Sequence, residues 1–247
     1  NNQHSYKNKT VSEATRSSRR LEIKSAFQDL HGLSFRVVYP YSITRRHVIA
    51  LTRYWESSGL KPSSIIQKVS KFSVFLRWIN KIHIFESLDR RDLYEEPDRF
   101  VRKTATTTDK SWGKVNIVKI LDKIDRTDRH IANQLRLCML LGMRVKEAML
   151  FRPCIEYNQK AQEVHLTRGT KSGRPRAIPV ETETQRKFLE GLVSSCVERN
   201  SSMIPRMIEL KSWIKRFYRI INKHGICRNN GMTPHGLRHG YAHLLYE

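Results

Sequence analysis

Gly142-Met143-Arg144-Val145-Lys146-Glu147-Ala148 reads as a glycine turn, an arginine at the entry of a helix, and a glutamate one turn further on. Two later stretches belong with it. Arg168-Gly169-Thr170-Lys171-Ser172-Gly173-Arg174-Pro175-Arg176-Ala177-Ile178-Pro179-Val180 places a glycine-rich, basic turn between apolar segments. That pattern predicts a β-hairpin with strands over 163–168 and 174–180. Thr233-Pro234-His235-Gly236-Leu237-Arg238-His239-Gly240 opens with a capping threonine and a proline suited to the first helical position. His235 and Arg238, three residues apart, then share one side of a helix start. None of the three stretches is distinctive by itself, but each brings a cation to the end of a regular element.

Composition widens this reading. In 247 residues, 46 Lys and Arg stand against 23 acids, a formal charge of +23, while 39% of residues are hydrophobic. The apolar share supports real cores and excludes a wholly disordered chain. The charge calls for a polyanionic partner. The apolar runs are short and studded with Arg and Lys, which argues against a membrane-spanning helix. The first twenty residues lack the apolar centre of a secretory signal, so the expected compartment is reducing, cytoplasmic and nucleoid-associated. Cys138, Cys154, Cys196 and Cys227 are widely spaced without a C-x-x-C pair, and they predict neither a zinc site nor a disulfide framework. No metal or cofactor is called for.

The expected organisation is a basic, flexible arm over 1–20 with a lead-in helix to about residue 41, a helical domain over 42–103, a linker over 104–114 and a larger domain over 115–247. Ser42 is the expected cap of one helix and Ser64, with Gln67, the start of the next. Arg45, Arg46, Arg53, Lys68, Lys71 and Arg77 fall off the apolar stripe of that helix pair. They are expected phosphate contacts, the plain alternative being a solvated face. In the larger domain, helices over 116–124 and 128–141 precede the Arg144 turn, and Thr182 with Gln185 caps a helix to about Val197. Apolar spacing over 210–221 marks another helix, ending at Gly225.

With these residues in hand, the chain resembles a tyrosine recombinase of the phage-integrase family. That family carries an arginine within G-x-R-x-x-E, a lysine on a hairpin, and H-x-L-R-H; the resemblance runs over residues 42–247 in matching order and spacing. It implies a mainly α fold with a small antiparallel β-hairpin or sheet, in which a helical core-binding domain and an α+β catalytic domain clamp duplex DNA. It also implies site-specific recombination through a covalent 3′-phosphotyrosine, in a mobile genetic element, by a homo-tetramer on paired DNA sites. Arg144 and Arg238 carry over as the phosphate clamp, Lys171 as general acid at the departing 5′ oxygen, and His235 as phosphate donor or proton-transfer group.

The chemistry fits these residue types. Two guanidinium forks hold phosphate oxygens bidentately and stay charged, whereas an ammonium can release a proton. Arg168, Arg174 and Arg176 compete with Lys171 as phosphate contacts, and Lys171 prevails by its register before Arg176. Glu147 reads as a buried structural partner, and His239 as packed against DNA or the fold rather than catalytic. In the family a second His or Trp and the nucleophilic Tyr follow H-x-L-R by roughly thirty residues, whereas nine residues follow Arg238 here. Tyr241 and Tyr246 lie on the motif's own helix, so the nucleophile is expected beyond Glu247. The competing readings are a catalytically silent DNA-binding protein on the same scaffold and a generic RNA-binding protein, for which no motif is present. If the charge serves DNA through about 8 to 12 neutralised phosphates, log affinity should fall against log salt with a slope of about −7 to −11. Titrating duplex binding across salt checks this, and a slope shallower than about −3 removes the assignment.

Overall fold

The computed structural model describes residues 5–6, 9–101, 109–113 and 115–246. The chain divides into two compact units, residues 1–105 and 106–247. The first contains a two-residue strand pair, β1 (Ser5–Tyr6) and β2 (Lys9–Thr10), followed by α1 (Glu13–Gly32), α2 (Arg45–Ser57), α3 (Pro62–Trp78), α4 (Ile82–Glu86) and α5 (Arg90–Leu93). The basic arm is corrected here. Ser12 accepts a hydrogen bond from the Thr15 N–H and caps α1, so Arg16, Arg19 and Arg20 ride on a helix. That helix buries Ala26 and Leu30 in the same core as Leu51, Trp55, Ile65 and Leu76, and Phe27 meets Phe72 and Phe75 edge-on. A twenty-residue helix with that much buried surface is part of the unit rather than a lead-in to it.

Two expected starts also shift. Ser42 closes a short 3-10 turn behind Pro40, and Thr44 caps α2, its N–H donating to His47 Nδ1 at 3.0 Å. Pro62, pre-set in φ, starts α3 two residues before Ser64. After α4, α5 and a 3-10 turn at Pro97–Phe100 bring Tyr94 and Phe100 into a stack at 3.6 Å between ring centroids.

The second unit holds α6 (Ile117–Thr127), α7 (Arg129–Leu140), α8 (Val145–Leu150), α9 (Pro153–Glu156), β3 (Tyr157–Asn158), β4 (Glu163–Leu166), β5 (Arg176–Pro179), α10 (Glu183–Ser194), α11 (Leu210–Lys223) and α12 (Pro234–Tyr246). The sheet is antiparallel in the order β3-β4-β5, with Val164 opposite Ile178 and Leu166 opposite Arg176. The hairpin expectation gains a third strand, too short to show alternation in sequence. The Thr182–Gln185 capping box forms as expected, Gln185 N–H donating to Thr182 Oγ1 at 3.2 Å and Gln185 Oε1 accepting from Thr182 N–H at 2.9 Å.

Of the expected linker, 104–108 and 114 lie outside the described residues, and 109–113 is packed rather than extended. Trp112 is buried and donates its indole N–H to the Thr233 carbonyl at 2.7 Å, fastening this segment to the start of α12. No helix among the described residues is long and apolar enough to cross a membrane.

The core of this unit gathers Leu135, Phe151, Trp213 and Phe217, all below 2% exposure, with Gln134 among them. Gln134 Nε2 donates to the Met203 carbonyl at 2.7 Å, and its Oε1 accepts from Trp213 Nε1 at 3.1 Å. Gln134→Leu therefore strands one buried acceptor and one buried donor. Denaturant unfolding should show a loss of about 2 to 4 kcal/mol; a change below about 0.5 kcal/mol would mean that the bridge contributes nothing net.

Candidate active site

The site begins with the turn after α7. Gly142 adopts φ +55°, and a Cβ there would fall 2.3 Å from Cδ1 of Tyr241 on α12. Only glycine meets both the left-handed backbone and the close approach of that ring. The Gly142 carbonyl is left pointing at two guanidiniums: Arg176 Nη2 donates to it at 3.3 Å, and Arg238 Nη1 donates to it as well. One backbone oxygen thus ties β5 and α12 to the turn.

Beside it lies Glu147, whose side chain is 0% exposed. Its carboxylate accepts from Arg144 N–H at 2.7 Å, from Arg144 Nη1 at 2.6 Å, and from Arg176 Nη2 and Nε at 2.8 and 3.4 Å. Burial pushes this carboxyl up, but the hydrogen bonds from Arg176 and from the Arg144 backbone and side chain outweigh it and hold the group below the usual carboxylate range. Arg144 keeps 37% of its side chain exposed, so one edge of its guanidinium is free for an outside ligand. Arg238 is half-buried, and burial together with the neighbouring charges of Arg176 and Arg144 lowers its pKa; a guanidinium nonetheless remains charged. Three cations around one anion leave a net positive cluster.

His235 stands at the start of α12, its ring 4.8 Å from that of His239 in an edge-to-face arrangement. Desolvation, then the charges of His239, Arg238, Lys110 and Arg144, hold His235 below its ordinary range, so it is neutral at pH 7 and able to accept a proton. Gly236 lets this helix start sit against residues 110–112, since a Cβ there would meet the Lys110 carbonyl at 2.5 Å. His239 and His243 face Asp109, which is 3.6 Å from His243 Nε2.

The hairpin tip is the remaining part. Gly169, at φ +72°, is pressed against the backbone of α8; a Cβ would lie 2.6 Å from the Lys146 carbonyl, beside the arginine that opens that helix. Lys171, Arg168 and Arg174 are exposed around the tip, and no hydrogen bond or ion pair among the described residues ties Lys171 to the arginine cluster. Arg176, by contrast, is committed inward to Glu147 and Gly142. Tyr241 is half-buried against Gly142, with burial raising its pKa, and the side chain of Tyr246 lies outside the described residues.

In the first unit, the basic residues singled out from sequence divide by partner. Arg45 pairs with Asp92 at 2.9 Å and Arg53 with Glu95 at 3.0 Å. Lys68 and Lys71 reach Glu22 of α1 at 3.7 and 3.9 Å, and Lys68 also lies 4.9 Å over the Trp55 ring. Arg46 covers Phe35, and Arg77 is exposed. Lys68, only 18% exposed, is therefore less available than its place off the apolar stripe implied. Arg19, expected in a basic arm, lies on α1 instead, where with Thr15, Ser18, Ser70, Lys71 and Val74 it lines an open groove of about 400 Å³ between α1 and α3. Arg19 Nη1 has no hydrogen-bond partner there although it is shielded from water. The 3-4 spacing of Thr15, Ser18, Arg19 and Glu22 places them along one side of α1.

Because Glu147 ionises more readily in the folded state than in the unfolded one, its contribution is present above pH 4.5, the ordinary value, and is lost as pH falls through the lower folded value. Glu147→Ala should cost about 3 to 5 kcal/mol at neutral pH by leaving Arg144 and Arg176 half-buried without their anion. It should also flatten the acid limb of the stability profile, measured by denaturant unfolding between pH 3 and 7.

Residues 100–244 match the family model described as Integrase. No curated protein matches the chain. Among solved structures, the Tn1549 transposon integrase in complex with transposon right-end DNA is 12% identical, covering 97% of this chain and 82% of its own, with TM-score 0.62. A lambda integrase dimer bound to a COC′ core site is 16% identical over 96% and 84%, with TM-score 0.60. The XerH site-specific recombinase bound to its palindromic difH substrate is 18% identical over 92% and 67%, with TM-score 0.56. At these identities the structures share the fold, while the family model spans more than half of the chain; the converging arginines sit within that span, and the chain belongs to the integrase family of tyrosine recombinases.

Proposed function

We propose that the protein is a site-specific DNA strand transferase that cuts and rejoins duplex DNA through a 3′-phosphotyrosine. The observation that carries this is the convergence of Arg144, Arg176 and Arg238 on Glu147 and the Gly142 carbonyl, with Arg144 partly exposed and His235 at the start of the helix that carries Arg238. In the transition state of phosphoryl transfer, extra negative charge develops on the non-bridging oxygens, and cations already locked in place stabilise it without reorganising. Arg144 and Arg238 take the clamp role. Arg176 holds Glu147 from the other side and keeps the clamp aligned.

In the proposed step the tyrosine hydroxyl gives its proton to His235 or to solvent as its oxygen bonds to phosphorus, the bond to the 5′ oxygen breaks, and Lys171 gives that oxygen a proton. His235 donates to or exchanges a proton with the phosphate. The hairpin carries Lys171 to the reaction when DNA is bound, since apo geometry often leaves such groups apart. Storing the phosphodiester in a protein-phosphate ester permits religation without a nucleotide.

The neighbouring structures are described as bound to transposon-end, core-site or difH DNA, and one lambda integrase as a tetramer on a Holliday junction. By extension, duplex DNA and a homo-tetramer on paired sites are proposed here, in a nucleoid-associated protein of a mobile element. The α1–α3 groove, with its two hydroxyl-bearing residues on α1, its unpartnered Arg19 nitrogen and Lys71, supports DNA contact by the first unit better than Arg45 or Arg53, which already hold acids.

Cleavage is measured on the complete gene product with a nicked suicide duplex. Arg144→Ala or Arg238→Ala should lower the rate at least about a hundred- to a thousandfold while leaving site binding within about tenfold. Lys171→Ala should be rescued by a 5′-bridging phosphorothiolate, whose sulfur leaves without a proton. Equal loss on both substrates removes Lys171 from the general-acid role, and tight binding with no covalent adduct in the unaltered protein makes it a silent binder instead.

A further inference from the structure

Cys154 and Cys196 are 42 positions apart in the chain, yet the fold brings them together. Cys154 lies on α9, and Cys196 follows the end of α10, which packs against it. The Cys154 thiol donates to the Val193 carbonyl at 3.7 Å, and the Cys196 backbone N–H donates to that same oxygen at 3.1 Å. The shared carbonyl makes the two residues neighbours, and both are partly exposed. Cys138, by contrast, is wholly buried.

Cys196 further lines a cavity of about 240 Å³ whose wall includes Arg129, His130, Ser201, Ser202 and Arg206, the last already paired with Glu198 at 2.7 Å. Such a wall favours anions. We infer that Cys154 and Cys196 form a reversible dithiol–disulfide site, closed by exchange with a small anionic disulfide that enters through this cavity. The recombination site plays no part in the argument, so the two proposals stand or fall separately.

The exchange balances without a further reagent. The Cys154 thiolate attacks one sulfur of the small disulfide, breaking its S–S bond and releasing one thiolate, which takes up a proton. Cys196 then gives its proton to solvent and attacks Cys154 Sγ in the mixed disulfide. The protein S–S bond forms, and the second small thiol departs with a proton. Two protein thiols are oxidised and one small disulfide is reduced to two thiols. Burial, then the hydrogen bond and charge of Cys154, push the Cys196 thiol up to about 11, which suits a group that keeps its proton until the second step.

The closed bridge would reach the hairpin. Glu156, two residues beyond Cys154, accepts from Thr167 N–H at 3.1 Å and Thr167 Oγ1 at 2.7 Å, just where β4 ends and the turn carrying Lys171 begins.

The test incubates the folded chain with oxidised glutathione, blocks remaining thiols under denaturing conditions and maps peptides by mass spectrometry. The expected product is about 2 Da lighter than the reduced chain before blocking. It contains a Cys154–Cys196 linked peptide and reverts with dithiothreitol. Cys227→Ser should leave it intact, and Cys154→Ser or Cys196→Ser should stop at a glutathione adduct on the remaining thiol. A lasting glutathione adduct on either cysteine of the unaltered chain, a link to Cys138 or Cys227, or both thiols still free to alkylate would overturn the inference. The map of the unaltered chain decides even where a serine variant fails to fold.

Discussion

The arginine cluster of the second unit is organised about one buried carboxylate. Glu147 is fully enclosed and answers two arginines from separate elements, Arg144 at the head of its own helix and Arg176 on β5. A lone carboxylate in such a place would carry a desolvation cost of several kcal/mol. Here the cost is offset because every lone pair faces a donor. Like-charged guanidiniums could not otherwise gather within reach of one another, so the anion that holds them is the condition for a cationic site that stays open to a phosphate.

The Gly142 carbonyl extends this logic to the last helix. It takes donors from Arg176 and Arg238, so the turn after α7, the sheet and α12 share one acceptor. Tyr241 fills the space that a side chain at 142 would need. The hairpin root and the 109–113 segment are then fixed by close backbone approaches at Gly169 and Gly236, one against α8 and the other against Lys110 and Trp112. These contacts hold the arginines, while the exposed side chain of Lys171 has no hydrogen bond or ion pair to them among the described residues.

Charge in the first unit is apportioned differently. Its acids are spent on Arg45, Arg53, Lys68 and Lys71, so a net charge of +23 overstates how many cations are free in any one patch. The more exposed pairs, Arg45–Asp92 and Arg53–Glu95, contribute little stability and can open to a stronger polyanion. The α1–α3 groove, by contrast, presents Arg19 with an unsatisfied nitrogen, and it is the geometry rather than the count of basic residues that marks it.

Local chemistry made much of this legible from sequence. The Thr233-Pro234 start, the Thr182–Gln185 box, the glycine-rich hairpin turn and the register of Arg144, Lys171, His235 and Arg238 are set by residues within one or two turns of each other, where backbone preference and capping act directly. The helical first domain, too, followed from apolar spacing in α2 and α3. What sequence could not decide were facts of distant packing. Ala26 and Leu30 show α1 to be core only once α3 lies against it; Trp112 leaves the linker only by reaching Thr233; Arg176 turns inward only because Glu147 is buried beside it. The pairing of Cys154 with Cys196 is of the same kind. An arginine in a sequence is a charge without a direction, and its partner is chosen by which carboxylate the folded core has already removed from water.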